Sequence, residues 1–319
     1  MITMSTGFYT NPIYLTHDTG AHPENASRLR AIEQHLEAEG VLSRLQTRSG
    51  RPAEAHEVNL LHTRKHIDRL EDAASGGATM LDTPDCVVSP GTYEAALHAV
   101  GAVLDAVVEV SDRQLDNAFC AARPPGHHAE RDHAMGFCFF NNIALAAEFL
   151  ARELGYSRIA IVDFDVHHGN GTQHLFEERP DVLFISTHQD PRTCYPGTGF
   201  AKEQGTGQGT GYTVNVPLPA GTEDEEYLHH FRTMVLPVLE DYQPQFVLVS
   251  AGFDAHRDDP LASLNLTERS YRELSHALVQ VAEQYAGGRL VSLLEGGYDL
   301  RALSTSVREH VSVLMGEEA

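Results

Sequence analysis

The sequence predicts an α/β protein: a single doubly wound domain over residues 1–319, with a central, mainly parallel sheet covered by helices on both faces. Segments with apolar residues at helical spacing alternate with short β-branched runs, the order expected of repeated strand–helix crossovers. The runs are continuously apolar, as strands buried on both faces must be. Four of them, NAFCAARPPGHH, RIAIVDFDVHHGN, QFVLVSAGFD and LVSLLEGGYD, stop on a polar cluster. In a sheet of this kind ligands bind outside the carboxyl ends of the strands, where the loops converge on one crevice.

In chain order, helical spacing marks ENASRLRAIEQHLEAEG (24–40) and TYEAALHAVGAVLDAVVEV (92–110), followed by the strand AFCAA (118–122). The helix NNIALAAEFLARELG (141–155) leads to strands RIAIVDF (158–164) and VLFIST (182–187). A helix YLHHFRTMVLPVLEDY (227–242), a strand FVLVSAG (246–252), a helix YRELSHALVQVAEQYAGG (271–288) and a strand RLVSLL (289–294) complete the alternation. Between them GFAKEQGTGQGTGY, rich in Gly, Thr and Gln, reads as a loop. It carries neither GK[ST] nor a GxGxxG in strand–helix context, so it does not predict nucleotide binding.

The formal net charge of −22 argues against a broad footprint for nucleic acid or an anionic membrane, and would steer in a basic partner. The opening MITMSTGFYTNPIYLTH lacks a basic start followed by an apolar core, and no run of about 18 apolar residues occurs, so a cytoplasmic protein is expected. Cys86, Cys120, Cys138 and Cys194 form no CxxC pair and read as reduced thiols. The oligomeric state is left open.

Asp165 and His167, one residue apart at an extended strand end, point the same way and can share an ion, with Asp254 offered by the next strong strand. Alone, such a pair is a capped turn beside a core histidine. Asp163, His168, Gly169 and Asn170 crowd the same strand end beyond what capping requires, and Asp254 tips the reading to a metal. Two carboxylates and one imidazole suit Zn²⁺ with an open coordination position; Fe²⁺ or Co²⁺ also fit. His127 and His128, on a rigid Pro and Gly turn, form an acid–base pair whose tautomers Asp163 and Asn170 can fix. After the last strand, the glycines preceding Tyr298 permit a tight turn that aims its phenol at the metal.

RPPGHHA, MGFCFFNN, VDFDVHHGNGTQ, PGTG, VSAGFDAH and LEGGYD, in this order and preceded by HPENASRL, resemble the zinc-dependent histone deacetylase family, especially class II-like bacterial members and acetylpolyamine amidohydrolases. The resemblance spans residues 22 to 299 and implies the arginase/deacetylase-like fold. It implies Asp165, His167 and Asp254 as zinc ligands, His127 and His128 backed by Asp163 and Asn170, and Tyr298 as oxyanion donor to metal-activated water chemistry. Asn170 and Glu295 follow the class II pattern. Phe137 and Tyr195 match the aromatic pair that sandwiches the aliphatic arm of acetyl-lysine, and Gly136 offers a carbonyl to the substrate amide. Leu261 stands where polyamine-preferring relatives carry an acidic residue, which favours acylated lysine or a similar acylated amine; an acetylpolyamine is the alternative, with Asp258, Asp259 or Glu24 as its attractors. The resemblance also implies potassium beside the zinc, through Asp163, Asp165, His167, Ser186 and Thr187, and a peripheral site at Phe176, Arg179, Val182 and Tyr212. Two other functions are weighed: an arginase-like ureohydrolase, which needs a two-manganese carboxylate cluster, and a metal-dependent binding protein without turnover, which the presence of His127, His128 and Tyr298 opposes.

Overall fold

The computed structural model describes residues 4–317; the first three residues of the opening segment and the last two of the chain lie outside the described residues. The elements are β1 (Thr6–Tyr9), α1 (Ser27–Ala38), β2 (Gln46–Arg48), α2 (Ala55–Val58), α3 (Arg64–Ser75), β3 (Met80–Leu81), β4 (Thr83–Val87), α4 (Thr92–Ser111), β5 (Asn117–Cys120) and α5 (Asn142–Arg152). There follow β6 (Ile159–Asp163), α6 (Asn170–Phe176), β7 (Val182–Gln189), β8 (Thr213–Leu218), α7 (Asp224–His230), α8 (Leu236–Tyr242), β9 (Phe246–Ala251), α9 (Glu268–Tyr285), β10 (Leu290–Leu294) and α10 (Leu300–Leu314).

Eight strands form one sheet in the order β2-β1-β5-β10-β9-β6-β7-β8, parallel at every pairing. The central strands β5, β10, β9, β6 and β7 are buried at every residue, which explains their unbroken apolar runs. Helices α4 and α5 pack together over strands of the sheet, and α1, α10 and α9 form a second packed group against it. The edge strand β8 contains Pro217, tolerable there because an edge has no second neighbour to receive the missing N–H.

The predicted helix 227–242 is broken. α7 and α8 are joined by a π-helical turn at Phe231–Val235, which ends two residues before Pro237. Proline has no N–H and its ring crowds the carbonyl four residues back, so the widened turn relieves the conflict while the chain keeps its direction. No helix among the described residues is long and apolar enough to cross a membrane. All four cysteines are free.

Candidate active site

The register levels the four informative strand ends. Leu293 pairs with Cys120, Leu294 with Ala251, and Asp163 with both Ser250 and Ser186. The loops after β5, β10, β9 and β6 therefore leave the sheet side by side, and their polar clusters meet.

Asp165, His167 and Asp254 each offer a ligand atom within 4.8 Å of the others. His167 Nδ1 lies 3.0 Å from Asp165 Oδ1 and 3.1 Å from Asp254 Oδ2. The remaining carboxylate oxygens are held by backbone: Gly296 N donates to Asp165 Oδ2 at 2.8 Å, and Val166 N to Asp254 Oδ1 at 2.9 Å. Burial and then the charge of Asp165 push the Asp254 carboxyl up to about 7. A buried donor set with an excess of negative charge fits a divalent cation, and the N/O composition suits zinc. Gly252 and Gly296 leave the space: a Cβ on the first would fall on the Asp165 carboxylate, on the second on that of Asp254.

The two imidazoles of the preceding turn lie 4.0 Å apart by ring centroid. His127 Nδ1 donates to Asp163 Oδ2 at 2.9 Å, and His128 Nδ1 faces Asn170 Oδ1 at 2.8 Å. Burial alone would depress His127, but the charges of Asp163 and Asp165 outweigh it and raise its pKa to about 10. His128 is driven well below the usual histidine range by burial and then by the positive His127 and His167. One ring is held charged and its neighbour neutral, the division of labour an acid–base pair requires.

Tyr298 closes the opposite wall. Its ring meets Phe137 edge-on at 5.9 Å, and the Arg28 guanidinium lies 5.0 Å from its centroid. Burial raises the phenol well above its usual range, so it keeps its proton. The Tyr298 loop is pinned from several sides. Arg28 donates to Gly297 O and Glu295 O at 2.7 and 2.5 Å, and the Tyr298 N–H donates to Asp259 Oδ2 at 2.7 Å. Glu295 Oε2 in turn accepts from the backbone N–H of Gly126 and His127, tying β10 to the histidine turn.

A cavity of about 300 Å³ opens over these groups, bounded by His127, His128, His167 and Tyr298 and, towards its mouth, by Phe137, Tyr195 and Leu261. Gly136 also lines it, its carbonyl accepting from the Cys138 thiol at 3.1 Å. Phe137 holds a left-handed φ of 69°, unusual for a bulky residue and of the kind that collects at ligand walls. Asp163, Asn170, Asp165 and Asp254 do not line the cavity but contact the histidines that do.

Of the residues expected at an inner potassium site, Ser186 and Thr187 are buried on β7, Ser186 in register with Asp163 and Thr187 Oγ1 donating to Asp163 O at 3.4 Å. In the peripheral set, Phe176 O already accepts from Arg179 N and Tyr212 O from Phe184 N, each keeping one further lone pair.

Two expectations are corrected. Glu24 is no surface attractor for a cation: it is 1 % exposed and takes both oxygens to Arg123, with Arg28 adding a third contact at 3.2 Å. Asp259 is likewise spent on the backbone N–H groups of Leu261 and Tyr298. Asp258 remains exposed. The sequence reading missed Asp85, which lines the mouth and accepts from Gly136 N at 3.1 Å. It sits on the short β4, outside every apolar strand run, and only the fold brings it to the crevice.

A sequence profile of the histone deacetylase domain matches residues 22–314. A probable deacetylase of Archaeoglobus fulgidus is 42 % identical over 301 residues, covering 93 % of this chain and 82 % of that protein. The histone deacetylase-like amidohydrolase of Pseudomonas aeruginosa is 38 % identical over 321 residues, again 93 % and 82 %. Histone deacetylase 15 of Arabidopsis thaliana is 40 % identical over 299 residues, and there the match spans 53 % of the relative's length. The crystal structure of the HDA15 HD domain superposes with a TM-score of 0.92 at 37 % identity, covering 99 % of this chain and 90 % of that one. With fold, strand-end chemistry and sequence in agreement, the chain belongs to the histone deacetylase family of hydrolases.

Proposed function

We propose that this chain is a zinc-dependent amidohydrolase that removes acetyl or other short acyl groups from lysine side chains or similar acylated amines. The observation that carries the reading is the meeting of a buried Asp–His–Asp donor set with two adjacent imidazoles, one backed by a carboxylate and one by an amide, at a single cavity. Zinc would be held by Asp165, His167 and Asp254, where a dication polarises an acyl carbonyl and acidifies water.

The chain's own groups supply the rest. His128 is neutral and accepts a proton from the attacking water. A histidine of the pair then returns a proton to the departing amine, and Asp163 keeps His127 oriented throughout. Tyr298 donates a hydrogen bond to the carbonyl oxygen as negative charge builds there, a contribution of about 3 kcal/mol for a well-placed donor. Phe137 and Tyr195 present aromatic surface to a methylene arm, which buries it without stranding polar groups. Potassium, bound through Asp163, Asp165, His167, Ser186 and Thr187, would brace the ligand-bearing strand ends.

Leu261, 39 % exposed at the mouth, gives a polyamine no carboxylate at that position. The test is steady-state kinetics of zinc-loaded protein on acyl-lysine peptides of increasing acyl length, N-acetylputrescine and acetylspermidine. Highest kcat/KM on acetyl-lysine peptides is expected. A large preference for the polyamines overturns the substrate choice, and no hydrolysis of any acylated amine overturns the whole reading.

A further inference from the structure

His128 can act as a base only if its proton sits on Nδ1 and leaves Nε2 bare, and its partner Asn170 does not by itself guarantee this. A carboxylate at that position would always accept. An amide has an accepting oxygen and a donating nitrogen of nearly the same shape, and either can be turned toward the ring. Turned the wrong way, the NH₂ would donate to Nδ1 and move the imidazole proton to Nε2, where it would block proton uptake.

The surroundings of the amide settle the choice. Asn170 opens α6 and is buried, with Oδ1 2.8 Å from His128 Nδ1. Its Nδ2 meets only acceptors: Glu130 Oε1 at 2.6 Å, His128 O at 3.3 Å and Met135 Sδ at 3.3 Å. Glu130 is the strongest of these because an ionised carboxylate accepts and never donates. A reversed amide would set its oxygen 2.6 Å from the Glu130 oxygen, two acceptors in contact without a proton between them. Glu130 is itself held in place. His174, one turn after Asn170 on α6, lies 2.8 Å from the same Oε1, so the helix grips the carboxylate at two successive turns.

Resting on the reading of His128 as the general base, we propose that Glu130 is a positioning residue that fixes the Asn170 amide and, through it, the Nδ1–H tautomer of His128. Asn170 and Glu130 together do what one carboxylate would do alone, with the charge one hydrogen bond farther from the ring.

Variants at position 130 divide by donor and acceptor character. Glu130→Leu removes the acceptor and should lower kcat about tenfold or more, the usual scale for losing a partner that orients a catalytic group. Glu130→Lys offers donors only, favours the reversed amide, and should cost more than leucine. Glu130→Gln retains an oxygen at the same reach and should stay nearest to the wild type. In an Asn170→Asp background, where the partner accepts whichever way it turns, Glu130→Leu should cost less than about twofold. Equal losses in both backgrounds, or full turnover in Glu130→Lys, overturn the proposal.

An independent readout is the ¹⁵N spectrum of histidine-labelled protein, with His128 assigned by difference from His128→Gln. The wild type should show protonated Nδ1 and bare Nε2, and Glu130→Lys a shift toward Nε2–H. An Nε2–H tautomer in the wild type, or an unchanged spectrum in Glu130→Lys, overturns it. Because this signal needs no turnover, a protein that hydrolyses nothing would sink the functional reading while the spectrum still decides the role of Glu130.

Discussion

Glu24 and Asp254 are both fully buried carboxylates, yet their surroundings move them in opposite directions. Burial raises each, but at Glu24 the guanidinium of Arg123 outweighs it and holds the carboxyl at about 2. At Asp254 the neighbouring Asp165 adds to burial and the carboxyl rises to about 7. The first charge is balanced within the chain and braces loops: Arg123 also donates to Tyr14 O at 2.9 Å and Arg28 to the loop before Tyr298. The second has His167, 3.1 Å away, as its closest cation and shares it with Asp165. An unbalanced buried cluster calls for a partner from outside, and that separates the part of the interior that builds the fold from the part that performs chemistry.

The largest expected effect breaks the unbalanced side. Asp254→Asn should abolish turnover. Zinc at a hundredfold excess over its Kd should raise the unfolding free energy of the wild type by about 2.7 kcal/mol and that of the variant by nothing. Denaturant titrations with and without zinc check this. Tyr298→Phe touches neither carboxylate; kcat should fall about 10²- to 10³-fold, with zinc binding and melting temperature unchanged. Retained turnover would remove Tyr298 from the mechanism.

Glu24→Gln breaks the balanced side and strands two arginines. It should lower stability by about 3–5 kcal/mol, with zinc affinity intact. Its pH dependence carries a definite sign. A carboxyl depressed from 4.5 to about 2 contributes stability fully above 4.5 and loses it as pH falls toward 2, so the gap between wild type and variant should close over that window. The raised Asp254 acts oppositely in metal-free protein, where its own contribution to stability should decline as pH climbs from 3.8 through about 7. Unfolding curves across pH for wild type and both variants test the pair of signs.

The sheet's centre was legible because burial on both faces leaves an unbroken apolar run, as in β6, β7, β9 and β10. The periphery was not. β1 and β2 are only four and three residues long, β8 mixes Asn215 and Pro217 into its run, and α10 is rich in Ser, Thr and Val, weak helix formers that Asp299 starts by capping the first turn. At the site, residues adjacent in sequence were readable: Asp165 with His167, His127 with His128, the turn before Tyr298. Links between distant loops left no local trace. Glu24 reaching Arg123, Asp259 accepting from Tyr298 N, Asp85 at the mouth and Glu130 behind Asn170 all depend on the crossover order of the strands.

Gly252 and Gly296 face the carboxylates of Asp165 and Asp254 from adjacent strand ends, each with only a hydrogen where any other residue carries carbon. Alanine replacement is ordinarily the mildest probe of a position, since it takes atoms away. At these two places it would insert a methyl group among the Asp165 and Asp254 carboxylates, and a survey by alanine would find severe lesions even where there is no side chain to lose.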